Sequence, residues 1–321
     1  MKVTILGTGI YSLAIALKIK KDIEIVMWTE NKNKVTELET TKKIDSIIKN
    51  INISNNIRLT NDYKDALSNS EYIIIGTSNK FVNDVCNNAL PYYKNDIPII
   101  ILTKGMNNKM FISEIVENVL KPKYLTVFSG PTFAIDLINN NPCVLTIASY
   151  NNEISENIKS IFNTNTLSFQ NSTDIIGTLL CGTYKNIIAI ASGMCDEQYN
   201  SPSTRAFLLN YAINELHTLL SKLNCNSTSL FNYAGFGDFI LTCTSTNSRN
   251  YSYGKLLAQD RIKSQEYLKN NTVEGYESIK ELSILLKEKD INCVLLNILE
   301  KIIFNNEKTT YLIESIQKAN F

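Results

Sequence analysis

Short apolar runs alternate with amphipathic stretches through the first half of the chain, and beyond Thr173 the pattern turns almost wholly helical. Val3–Leu6, Ile23–Trp28, Ile57–Leu59, Tyr72–Ile75, Ile97–Leu102, Leu125–Phe128 and Cys143–Ala148 are runs of strand length. Tyr11–Lys20, Val35–Lys49, Lys80–Ala89 and Phe111–Leu120 read as the helices between them. Six further helices are predicted at Thr173–Cys195, Thr204–Leu223, Asp238–Thr242, Tyr251–Gln259, Gly275–Lys287 and Leu295–Asn305. The order predicts an α/β half built on a doubly wound, largely parallel sheet, followed by an all-helical half. The expected domains are 1–172 and 173–321.

The first strand ends in Gly7-Thr8-Gly9 and feeds a helix and a second strand. This is the βαβ unit that binds a dinucleotide across a Rossmann-type sheet edge. Gly7 permits the tight turn, and Gly9 lets backbone N–H groups approach a pyrophosphate. Ser12 stands at the third glycine position, small enough for close helix packing. Two loops at strand ends carry candidate chemistry, Thr103-Lys104-Gly105 and Ser129-Gly130-Pro131-Thr132-Phe133-Ala134, because ligands bind outside the carboxyl ends of such strands.

In the helical half, Gly177, Gly182, Ala189, Ala191 and Gly193 keep one long helix thin, open to close approach by a second element or a cofactor. That apolar run holds Lys185 beside Asn186. The lysine is either a proton-transfer group aimed at a cleft or a side chain snorkelling to solvent. Asp238 and Thr242 lie four apart and share a helix face, Asp238 being either a site residue or an N-cap. Ser248-Arg249-Asn250 precedes a helix, and a hydroxyl, a guanidinium and free N–H groups together fit a phosphate, a surface ion pair being the plainer role for Arg249. Lys104, Lys185 and Asp238 form the set that hydride chemistry on an alcohol needs, a proton acceptor and groups to hold an oxyanion. A lysine serves as base when burial or a neighbouring cation lowers its pKa, and Lys104 facing Lys185 supplies that neighbour.

Composition narrows the partners. The 321 residues suffice for two domains, and 44% hydrophobic with 20% charged content describes a soluble globular chain. A net charge of +1 gives no field favouring nucleic acid or an anionic membrane. Seven cysteines without a CxxC pair suit a reducing compartment. His217 is the single histidine, which excludes a multi-histidine metal site, and it is expected as a packed or half-exposed helix residue. A strand from the outset leaves no room for a signal peptide, and no run is read as membrane-spanning, so a cytoplasmic location is expected.

Taken with Val273-Glu274-Gly275, these segments resemble the bacterial type of NAD(P)-dependent glycerol-3-phosphate dehydrogenase over essentially the whole chain. The resemblance implies reduction of glycerone phosphate to sn-glycerol 3-phosphate for phospholipid synthesis, with NAD or NADP, no metal, and commonly a homodimer. It implies that Lys185 is the proton acceptor and that Lys104 contacts substrate and nicotinamide region. Substrate contacts are implied at Gly130, Thr132, Asp238, Ser248, Arg249 and Asn250, with Thr242 beside them. Coenzyme contacts are implied at Gly7, Gly9, Ile10, Tyr11, Ala134, Arg249, Val273 and Glu274.

The chain departs from the family at Ile10 and Ser12, in Ile44–Ile57, which lacks a Leu-Pro segment, and in Glu197–Ser203. Where the family has His-Arg after the second strand, this chain has Glu30-Asn31. A carboxylate there repels a 2′-phosphate and accepts a ribose hydroxyl, favouring NAD, although Lys32 and Lys34 follow closely. A dehydrogenase of another small hydroxy compound and a non-catalytic dinucleotide-binding protein are the competing readings.

Overall fold

The computed structural model describes residues 1–45, 49, 51, 53–163 and 165–319. The chain divides into two compact units. Met1–Thr103 with Ile112–Ile175 forms the first, and Lys104–Phe111 with Ile176–Phe321 forms the second.

The first unit is built on strands β1 (Lys2–Leu6), β2 (Glu24–Trp28), β3 (Ile57–Thr60), β4 (Tyr72–Ile75) and β5 (Ile99–Ile101). The second unit takes the short strands β6 (Met106–Asn107) and β7 (Met110–Phe111), and the first resumes with β8 (Leu125–Ser129), β9 (Cys143–Ser149) and β10 (Leu167–Ser172). The large sheet has eight strands in the order β10-β9-β8-β5-β4-β1-β2-β3. All neighbours run parallel except β8 and β9, which pair antiparallel. The reversal from β1-β2-β3 to β1-β4-β5 is the switch point of a doubly wound fold, as the alternating pattern predicts. Val3, Ile5, Leu6, Ile73, Ile74, Ile75, Ile99, Ile100 and Ile101 are buried, since these strands are covered on both faces and need apolar side chains on both.

The predicted Val35–Lys49 helix is observed as Lys32–Thr41, closed by Lys42 in the left-handed region, and the end of the predicted span reaches residues outside those described. Strands β6 and β10 and the helices Tyr63–Leu67, Ala134–Ile138, Asn152–Ser160, Arg261–Asn270 and Tyr311–Ala319 lie outside the predicted runs. Strand β10 is an edge strand with only Leu167 buried, and the Arg261–Asn270 helix buries only Ser264, so neither presents an apolar stripe.

The second unit centres on the Ile175–Tyr199 helix. Its length and mean hydropathy of 1.4 satisfy the criteria for a membrane span, contrary to the reading from sequence, but 94% of its most apolar window is buried inside the protein. The thin face does admit a second element. The Arg249–Gln259 helix crosses so closely that a Cβ at Gly254 would stand 2.0 Å from the Ile190 carbonyl oxygen, and one at Gly193 2.0 Å from that of Tyr251. Asp196 fixes the same crossing, accepting hydrogen bonds from the Tyr251 hydroxyl and the Arg205 guanidinium, each at 2.6 Å.

The β6–β7 hairpin turns through Asn108 and Lys109, both at positive φ, as a two-residue loop requires. Glu281 accepts the Lys109 backbone N–H at 2.6 Å, and Glu288 pairs with its ammonium at 2.5 Å, tying the hairpin to the Glu274–Glu288 helix.

A Gly254→Ala substitution forces the crossing apart and costs about 1–3 kcal/mol of stability. Urea unfolding checks this, and a variant as stable as the parent would show that the close approach carries no constraint.

Candidate active site and coenzyme turn

Asp238 sits at the centre of a buried ionic cluster in the helical unit. The chain reaches it through a turn of π-helix, Tyr233–Gly237, which seats Gly235 where a Cβ would lie 2.3 Å from the Leu230 carbonyl oxygen. Asp238 then opens the Asp238–Thr244 helix, whose N-cap is Gly237. The N-cap alternative for Asp238 is therefore wrong: its carboxylate turns to two lysines instead. Lys104 Nζ donates to Oδ2 at 2.7 Å, and Lys185 Nζ donates to Oδ1 at 2.6 Å. Thr242, one turn on, accepts a second hydrogen bond from Lys185 at 2.7 Å and donates to Asp238 Oδ1 at 3.2 Å.

Lys185 and Asp238 are 5% and 2% exposed, so the snorkelling alternative for Lys185 is also wrong. Burial pulls the Lys185 ammonium down to about 8, with Asp238 opposing the shift and Lys104 adding to it. Burial works to raise Asp238, but the charges of Lys104 and Lys185 outweigh it and hold the carboxyl below its usual range. Two ammonium groups and one carboxylate leave one positive charge in excess, which suits an oxyanion.

Lys104 belongs to the helical unit by packing, on the loop between β5 and the β6–β7 hairpin. The Ser248-Arg249-Asn250 segment is in the same unit, in altered guise. Ser248 is the N-cap of its helix and accepts the Tyr251 N–H at 3.3 Å, so one of the N–H groups expected to face a phosphate is already capped. Arg249 is exposed. Asn250 is 7% exposed and its side-chain oxygen accepts the Gly275 N–H at 2.9 Å, leaving only its NH₂ to offer a ligand. Val273 is buried, and Glu274 accepts from Asn186 Nδ2 at 3.0 Å. Asn186 was absent from the candidate set, although its place beside Lys185 was the available signal.

The remaining candidates lie in the first unit. Gly7 has φ +122°, and a Cβ there would meet the backbone of Gly76 and Thr77 at 2.8 Å. No backbone or side chain within that distance crowds Gly9, whose nearest neighbour to an added Cβ is the Gly76 oxygen at 4.0 Å, and no side chain caps the helix it opens. That bare, uncapped turn fits a dinucleotide pyrophosphate. Ser12 donates to the Gly76 oxygen at 2.8 Å, and a Cβ on Gly76 would fall 2.1 Å from the Ser12 oxygen. Ile10 and Glu30 are exposed. The Tyr11 and Thr132 hydroxyls hydrogen-bond at 2.7 Å, joining a coenzyme candidate to a substrate candidate. Gly130 packs on β9, where a Cβ would meet the Val144 oxygen at 2.7 Å, and Ala134 starts the short Ala134–Ile138 helix. His217 is exposed on the Pro202–Lys222 helix.

Family models described as NAD-dependent glycerol-3-phosphate dehydrogenase N-terminus and C-terminus match residues 2–155 and 174–314. The chain is similar to the glycerol-3-phosphate dehydrogenase (NAD(P)+) of Myxococcus xanthus, at 32% identity over 267 residues, 81% of this chain and 80% of that one. The Bacillus subtilis enzyme of the same name is 28% identical over 323 residues, covering 98% and 93%. The crystal structure of glycerol-3-phosphate dehydrogenase from Coxiella burnetii superposes with a TM-score of 0.92 at 25% identity, covering 98% of each chain.

Asp238→Asn leaves two ammonium groups without their counter-ion and costs about 3 kcal/mol at neutral pH. Loss of Asp238 lowers the Lys185 pKa further, so the penalty shrinks as rising pH deprotonates the amine. Urea unfolding across pH 6–9 checks both, and a penalty independent of pH would mean that the ion pairs are not its source.

Proposed function

We propose a reaction and a division of labour from the premise that the chain belongs to the NAD-dependent glycerol-3-phosphate dehydrogenase family. It is an NAD(P)-dependent oxidoreductase that interconverts glycerone phosphate and sn-glycerol 3-phosphate. The observation that carries the site is the sharing of one buried carboxylate by the ammonium groups of Lys104 and Lys185. With the coenzyme's pyrophosphate held at the Gly7-Thr8-Gly9 turn, its reduced nicotinamide would supply the hydride that C2 of the ketone receives.

In this reading Lys185 Nζ gives its proton to the carbonyl oxygen during reduction and takes it back in oxidation. A lysine near 8 suits both directions, since the proton moves readily near neutral pH. Lys104 stabilises the developing oxyanion. Asp238 and Thr242 fix the Lys185 ammonium through two of its three donor directions. Arg249, the Asn250 NH₂ and Ser248 hold the phosphate. Gly130 and Thr132 are further substrate contacts, while Gly7, Gly9, Ile10, Tyr11, Ala134, Val273 and Glu274 serve the coenzyme, with Lys104 and Arg249 touching both ligands. Glu30 favours NADH over NADPH by accepting a ribose hydroxyl. A role in phospholipid synthesis, cytoplasmic location and homodimeric assembly complete the proposal.

Glycerone phosphate with NADH, followed spectrophotometrically, tests the reaction. Lys185→Ala should lower kcat by about 10²–10⁴-fold with an unchanged fold, and near-normal turnover removes Lys185 from the chemistry. The pH profiles should mirror each other: kcat/KM for reduction, which needs the ammonium, falls as pH rises through about 8, and that for oxidation, which needs the amine, rises. Profiles of the same sense would assign the proton to another group.

Arg249→Ala should raise KM for glycerone phosphate about tenfold more than that for unphosphorylated glycerone, by loss of a charge-assisted hydrogen bond to the phosphate, any effect through the coenzyme being common to both ketones. Equal losses on both ketones would place Arg249 away from the phosphate and favour a different hydroxy compound as substrate.

A further inference from the structure

Lys34 is a half-buried cation that the proposed chemistry does not use. It lies on the Lys32–Thr41 helix after β2, and its ammonium stands 3.4 Å from the Thr8 hydroxyl, within the Gly7-Thr8-Gly9 turn. The Thr8 hydroxyl in turn meets that of Thr29, just past β2, at 3.0 Å. Lys34 therefore reaches back over the carboxyl ends of β1 and β2. Burial lowers its pKa, the charge of Glu37 opposing the shift. Among the described residues no carboxylate pairs with it, and a hydroxyl at 3.4 Å is weak compensation for a desolvated ammonium. A cation held that way is poised for an anion from outside the chain.

The position specifies which anion. In a dinucleotide-binding βαβ unit the pyrophosphate lies at the start of the first helix, whereas the adenosine ribose is read at the end of the second strand. Lys34 is on the ribose side, where Thr8 meets Thr29. Glu30 is exposed at the same strand end and carries the opposite charge. Asn31 is occupied as the N-cap of the Lys32–Thr41 helix, its side chain accepting the Asn33 N–H at 2.9 Å.

We infer that Lys34 reads the coenzyme's 2′-phosphate, giving the chain a place for NADP(H) that Glu30 alone would deny it. The inference rests on the dinucleotide reading of the turn and adds a determinant of coenzyme choice. Lys34 is not a catalytic residue. It sets the ratio of two affinities while leaving the reacting atoms alone.

The test is equilibrium binding of NAD+ and NADP+, by titration calorimetry, to the full chain and to Lys34→Ala, Lys34→Arg and Lys32→Ala variants. The two probes differ only in the 2′-phosphate. Lys34→Ala should weaken NADP+ about tenfold more than NAD+, the worth of one charge-assisted hydrogen bond. Lys34→Arg should restore the parental ratio, and Lys32→Ala should leave it within about twofold of the parent, because Lys32 is exposed. If Lys34→Ala weakens both probes alike, the ammonium serves the pyrophosphate and the inference fails. Equal shifts from Lys32→Ala and Lys34→Ala would reduce it to a general surface field and overturn it as well. A parent chain that binds neither probe sinks the dinucleotide reading and this inference together, while binding of both with a ratio indifferent to residue 34 sinks the inference alone.

Discussion

One carboxylate shared by two ammonium groups is the constraint around which the helical unit is arranged. Taking three charges out of water costs several kcal/mol for each ion, and attraction offsets that only where the geometry leaves little slack. Here the slack is small: each Asp238 oxygen has its own lysine, and Thr242 holds the Lys185 amine against the same carboxylate. With both lysines protonated, one carboxylate faces two ammonium groups and the set carries a surplus positive charge. In the proposed reaction the surplus charge would serve the chemistry, since a negative oxygen entering the cluster meets a field already in place and nothing has to reorient. The direction of the Lys185 shift comes first from burial. Burial and the second lysine act together against the ammonium, and Asp238 recovers only part of what they remove.

Holding that cluster requires three sequence-distant pieces of backbone to arrive in register. Lys185 comes from the interior of a buried helix, where its own backbone is fully hydrogen-bonded and its side chain has little freedom. Asp238 comes from a helix start entered through a π-turn, and that turn closes only because Gly235 has no side chain to strike Leu230. Lys104 arrives on the loop before a hairpin pinned by Glu281 and Glu288, so an outlying segment of the α/β sequence is held within the helical unit. The Gly193–Gly254 crossing brings the Arg249–Gln259 helix against the same central helix, and Asn250 binds the first turn of the Glu274–Glu288 helix through Gly275. The site is stiff because most of its members also hold the fold together.

Much of this was legible in the sequence for a physical reason. A sheet covered on both faces demands unbroken apolar strands, and the thin run from Gly177 to Gly193 leaves room for a close neighbour, which the Arg249–Gln259 helix fills. The three charged members of the cluster stood out as well, because a lysine in an apolar helix and an aspartate after a glycine-rich turn need partners. Periodicity carried no such message for β10 or the Arg261–Asn270 helix, whose side chains mostly face water. Nor could spacing show that Ser248 and the Asn250 oxygen would serve as helix anchors, since capping and ligand binding draw on the same atoms. The roles of Asp238 and Lys185 were open for a similar reason: only burial separates a cap from a counter-ion, or a snorkelling amine from a trapped one.

The coenzyme turn shows where letters mislead and contacts do not. The third glycine of the dinucleotide fingerprint permits close packing of helix and strand, and Ser12 in its place departs from the pattern while staying small. In the fold the space is made from the other side. Gly76, just past β4, lacks the side chain that would collide with Ser12, and its carbonyl accepts the Ser12 hydroxyl. The close approach survives, with a hydrogen bond added, because the requirement belongs to the pair and not to either position. Charge at the ribose end obeys the same logic. Glu30 occupies the place in the alignment where a reader of the ribose is sought, yet the ammonium nearest the turn is that of Lys34, one helical turn further along. If Lys34 reads the 2′-phosphate, coenzyme preference follows from which charge the backbone brings over the turn, a quantity that spacing alone does not contain.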